Sequence, residues 1–198
     1  MQMEIAEQPP PYVDWIAHTG RECGKCSLCC KLLHVVELNK PAGKWCQHCR
    51  PGYGGCTIHD TRPDICRGYF CGWMLSKNVG DEWYPLRSHM ILSLGKFNGV
   101  QCVTVTVDPN YDWMWKEQPY YAQLQQMARR GLQVKSPDDI LLVHVRCKGR
   151  VWLITPTEDI EITHGNYIVK LVGPGQWAIE QFTTQEETER RVEDLMRR

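Results

Sequence analysis

From about residue 88 onward the chain alternates apolar runs with polar punctuation at the intervals of regular structure; before that it does not. His89–Lys96 and Val100–Val107 are apolar and β-branched, the composition of strands, and Asn98-Gly99 between them is a strong hairpin signal. Ile140–Cys147 and Val151–Ile154 form a second such pair around Lys148-Gly149. Ile160–Thr163, Tyr167–Val172 and Trp177–Phe182 continue as a meander, broken at His164-Gly165-Asn166 and Gly173-Pro174-Gly175. Two stretches follow a helical period instead. Pro119 opens one, with Tyr120, Tyr121, Leu124, Met127 and Ala128 on one face and Gly131 as its stop. Thr184 is the predicted N-cap of the other, with Glu186 and Glu187 in the first turn and Arg197 and Arg198 in the last, an order that suits the helix dipole. The pattern predicts an antiparallel sheet over residues 85–183.

Residues 21–84 carry no such period. Pro41-Ala42-Gly43, Pro51-Gly52 and Gly54-Gly55 mark loops, with helical turns predicted near Cys29 and near Pro63. Residues 1–20 read as an extended lead-in, in which Tyr12, Val13, Trp15 and Ile16 are placed for a short docking turn. The predicted fold class is therefore α+β. A loop-rich cysteine region (21–84) packs on an antiparallel sheet with one or two helices and a C-terminal helix (85–198).

Composition narrows the function classes. A chain of 198 residues that is 42% hydrophobic, with eight tryptophans, is long and apolar enough to build a core without relying on metal. A net charge of zero leaves no electrostatic footprint for nucleic acid. No apolar run approaches the roughly 20 residues that span a bilayer. The acidic, proline-rich start at Met1–Pro11 lacks the basic and apolar segments of a secretory signal. The expected location is the cytoplasm, where thiols stay reduced.

Nine of the eleven cysteines lie between Cys23 and Cys71: Cys23, Cys26, Cys29, Cys30, Cys46, Cys49, Cys56, Cys66 and Cys71. In a reducing compartment such density points to metal ligation, and an odd total fits a closed disulfide framework poorly. A CxxC step turns the backbone so that two sulfurs face one metal, and Cys23-x-x-Cys26-x-x-Cys29 offers three donors from one loop. That run favours an iron–sulfur cluster of the [4Fe-4S] type, whereas the Cys46-x-x-Cys49 knuckle favours zinc. Adjacent residues tend to point apart, so Cys29 and Cys30 are expected to serve two sites, or one to serve and one to pack. Nine thiols suffice for two four-ligand centres with one to spare. Cys102 and Cys147, within apolar strands, are expected in the core. His48 and His59 are read as flanking or exposed groups before ligands. Arg62 and Arg67 either brace the cluster loop or form surface ion pairs, and Trp113 and Trp115 are expected to pack before they serve as a ligand platform.

Three motifs occur in order: Cys23-x-x-Cys26-x-x-Cys29-Cys30, Gly55-Cys56-Thr57-Ile58-His59, and Arg62-Pro63-x-x-Cys66-Arg67-Gly68-Tyr69. Together they resemble the CxxCxxCC cysteine-cluster family, the YkgJ-type group of zinc- or iron-chelating proteins, with His59 where tyrosine is commoner. The likeness covers residues 20–75. It implies a bound metal centre that uses Cys23, Cys26, Cys29 or Cys30, Cys56 and Cys66, with Cys46, Cys49 and Cys71 as a subgroup variation.

The functional expectation is a cytoplasmic protein with a thiolate-held iron–sulfur or zinc centre, whose C-terminal half binds a protein partner or substrate. The alternatives are an iron–sulfur redox or protein-modifying enzyme and a zinc-stabilised interaction module. No catalytic triad, paired carboxylate or phosphate loop names a reaction.

Overall fold

The computed structural model describes residues 19–53, 55–97, 100–133, 141–162, 166–173 and 176–182, with 184, 186, 187 and 190. The N-terminal docking turn, the Asn98-Gly99 turn, Pro174-Gly175 and nearly all of the C-terminal helix lie outside these residues. Of that helix, the Thr184 cap is seen: its hydroxyl accepts from Glu187 N, while the Glu187 carboxylate accepts from Thr184 N, each at 3.2 Å. This reciprocal pair is a capping box.

Strands β1 (Met90–Phe97), β2 (Val100–Val107), β3 (Leu141–Cys147), β4 (Arg150–Ile154) and β5 (Asp159–Glu161) form one sheet in sequence order. β1 pairs antiparallel with β2 from Met90 opposite Val107 to Phe97 opposite Val100, the register a two-residue turn dictates. β2 and β3 run parallel, which departs from the all-antiparallel expectation. A parallel pair needs a long crossover, and the helix at Tyr120–Leu132 sits within this one. The expected meander also divides. β5 completes the main sheet, while β6 (Asn166–Gly173) and β7 (Gln176–Phe182) make a separate two-stranded sheet.

Strand alternation sends side chains to two faces. Val103, Val105, Val107, Val143, Val145 and Cys147 pack with Tyr120, Leu124 and Ala128 of the long helix, and with Trp83, Met90 and Trp115. Cys102, Leu142, Leu153, Ile162 and Tyr167 form a second cluster. Cys102 and Cys147 are thus core residues, as expected. The helix ends at Leu132, one residue past the expected stop at Gly131, where a Cβ would come within 2.1 Å of the Leu141 carbonyl oxygen. The glycine lets the helix close on β3.

The cysteine region is built from short helical turns, α1 (Cys29–Leu32), α2 (Asp64–Arg67) and α3 (Gly72–Leu75), joined by loops. It packs on Ile91, which leaves β1 on the opposite side from Met90 and Leu92, through Leu28, Leu32, Cys71 and Met74. Each such apolar side chain contributes roughly 1.5–3 kcal/mol on full burial. One buried ion pair welds the two halves. Lys31 Nζ donates to both oxygens of Asp108, at 2.6 and 2.7 Å, joining α1 to the residue after β2.

Candidate metal centre

The cysteine loops are held by backbone turns. Cys26 N donates to Cys23 O at 2.9 Å, and Cys49 N donates to Cys46 O at 3.0 Å, so both CxxC steps close the same way. Cys46 N in turn reaches Cys30 O at 3.0 Å, tying the second knuckle to the first motif. Cys49 and Cys56 face each other as an isolated antiparallel bridge, and Cys66 N bonds Pro63 O at 2.9 Å at the start of α2. Cys71 precedes α3, where Met74 N takes its carbonyl.

Side chains other than the cysteines hold these turns, and one of them ties the region to the sheet. Arg21 donates to the carbonyls of Trp73, Ser76 and Val79 at 2.7–2.8 Å, and its guanidinium lies over the Trp73 ring. Tyr84 donates to Cys23 O at 3.0 Å. Tyr69, hydrogen-bonded to Ser93 at 2.9 Å, anchors the chain between Cys66 and Cys71 to β1. Lys40 donates to the carbonyls of Lys31 and Leu33. None of these roles was legible beforehand, because each partner is distant in sequence or is a backbone carbonyl.

All nine thiols are free, and they act on one another. Burial lifts Cys26 to about 11, with Cys23, Cys71 and Cys30 adding to the rise. Burial likewise raises Cys49 to about 11, and Cys30 and Cys46 push in the same direction. Cys66 is raised by burial and then by Cys30, Cys46 and Cys56. Cys23 and Cys71 are raised mainly by burial, the former also by Cys71 and Cys30. Cys29 is raised because its thiol donates to Cys30. That bond is the largest cause drawing Cys30 down to about 6; the Cys49 thiol and the Lys40 ammonium assist, against burial. Cys29 and Cys30 are the first two residues of α1.

These donors suit a soft cation. Half-buried thiols that suppress one another's ionisation are relieved by a positive charge, and thiolate is the preferred donor for zinc and iron–sulfur clusters. Among the described residues, however, no group of three or more histidines, cysteines, aspartates or glutamates stands ready-made to hold a metal ion. The backbone turns are formed; the sulfurs are not drawn together.

The remaining candidates divide. His48 is hydrogen-bonded to Thr57 and Gln47, and His59 to Asp60, all at the surface. Arg67 donates to the carbonyls of Arg62 and Asp60 at 2.9 Å, and Arg62 to that of His59, so both arginines brace the loop through its backbone. Trp115 is buried against Trp152, whereas Trp113 is 54% exposed, with its ring 5.8 Å from that of Tyr111 in the same loop. No helix among the described residues is long and apolar enough to cross a membrane.

Comparison with protein-family models, curated proteins and solved structures finds no match to this chain.

Proposed function

We propose that this is a metal-binding protein whose cysteine region holds a thiolate-ligated iron–sulfur or zinc centre. The observation that carries the reading is the pair of CxxC turns, each closed by the same backbone bond, Cys26 N to Cys23 O at 2.9 Å and Cys49 N to Cys46 O at 3.0 Å. Cys23, Cys26, Cys29, Cys49 and Cys66, drawn from three separate loops, are all made less acidic by Cys30. The backbone knuckles hold the donors near one another, and side-chain rotation closes them on a cation. The bound group supplies either a structural cross-link or an electron-carrying centre, and a reducing compartment such as the cytoplasm suits it. Arg21, Tyr69, Tyr84 and Lys40 hold the loops that bear the thiols.

The zinc-stabilised interaction module is the second reading. It is favoured by Trp45, Tyr53 and Trp113, which are 43%, 86% and 54% exposed. The test of metal binding is substitution. Cys26→Ser and Cys66→Ser should each lower the metal content of anaerobically purified protein and its melting temperature, because site formation is coupled to folding. Unchanged metal and melting in both variants would remove the reading.

A further inference from the structure

We propose that the cysteine region holds two metal centres, one on Cys23, Cys26, Cys29 and Cys71 and the other on Cys46, Cys49, Cys56 and Cys66, with Cys30 between them. The inference rests on the metal-binding reading and divides its site.

The two sets are built alike. Each begins with a CxxC turn closed by the same backbone bond, Cys26 N to Cys23 O at 2.9 Å and Cys49 N to Cys46 O at 3.0 Å. Each then takes two donors from further along the chain. In the first set these are Cys29 at the start of α1 and Cys71 before α3. In the second they are Cys56, across an antiparallel bridge from Cys49, and Cys66 in α2. The loop from Cys56 is tied to α2 by Arg67, which donates to the carbonyls of Asp60 and Arg62. Four thiolates complete either a zinc site or a cubane cluster.

The surroundings differ. Cys26 and Cys71 belong to an apolar cluster with Leu28, Leu32, Met74 and Ile91, against the sheet. The second set lies in loops whose other residues are largely exposed, from Lys44 to Asp60. A metal held there meets solvent and chelator first, so the second centre is the exchangeable one.

The deciding experiment titrates zinc(II) into the metal-free full chain, anaerobically and under reductant, and then follows its release to a chelator. Wild type should take about two equivalents, with two release phases. Cys46→Ser/Cys49→Ser should take about one and lose the fast phase; Cys26→Ser/Cys71→Ser should take about one and lose the slow phase. The division is overturned if either pair abolishes all binding or leaves the stoichiometry unchanged. Wild type that binds no zinc overturns the metal-binding reading as well, a different outcome from metal bound but undivided. Should the Cys26/Cys71 variant fail to fold, the Cys46/Cys49 variant decides alone, since it lies outside the apolar cluster.

Discussion

A buried ion pair and a buried histidine set testable limits on stability at the residue scale. Lys31 and Asp108 pair with side chains only 9% and 5% exposed, so removing one partner strands the other charge. Lys31→Met should destabilise by about 3–5 kcal/mol, with Lys31→Met/Asp108→Leu recovering part of the loss, in urea unfolding of protein in one metal state. Equal stability of Lys31→Met and wild type would mean that the pair does not join the two halves. His144 is the second case. It is buried, bonds Tyr167 through Nε2, and leaves Nδ1 without a partner among the described residues. Burial, with Arg146 adding, holds its pKa near about 4. The unfolded ring titrates near 6.5, so between these values the unfolded chain binds more protons. The neutral ring's contribution is complete above about pH 6.5 and is lost as pH falls toward 4, by about 2 kcal/mol at pH 5. Stability curves at pH 7 and pH 5 should therefore differ less in His144→Gln than in wild type. An unchanged difference would assign the acid sensitivity to other groups.

Glycine decides the closest approach at the scale of elements. Gly131→Ala should destabilise by about 1–3 kcal/mol, because its methyl meets Leu141 backbone that cannot move aside. Gly95→Ala, with nothing within 4 Å of its Cβ, should be neutral or slightly stabilising. Thermal melts of the two variants check the pair, and similar melting would contradict the packing described. The same glycine shows where sequence reading stops. Strands β1 to β4 and the long helix were legible because their apolar residues repeat with a strand or helix period. Gly131 marks the helix end to within one residue, but its local signal does not say that the helix also presses on a strand there. The parallel pairing of β2 and β3 was likewise hidden, since period alone does not give direction. The short turn α3 and the anchor at Arg21 depend on contacts 50 or more residues away, which no local pattern carries.

Taken whole, the molecule is a sheet with its own core to which a thiol-bearing loop region is fixed by Ile91, Lys31–Asp108 and Tyr69–Ser93. The thiols themselves were legible, because CxxC spacing states its own geometry. Their grouping was not, since it depends on which loops the fold brings together, as the bridge between Cys49 and Cys56 and the bond from Cys46 N to Cys30 O show. Core and thiol field should also be separable. Cys102→Ser, inside the sheet, should leave metal content unchanged, and loss of metal there would move the boundary of the site. The central claim is that the thiol field binds metal, and metal and acid-labile sulfide analysis of the anaerobically purified full chain tests it most directly. The account predicts bound metal, either zinc in a colourless protein or about four irons with about four sulfides per cubane in a coloured one. Protein that is folded, fully reduced and free of both zinc and iron would contradict it.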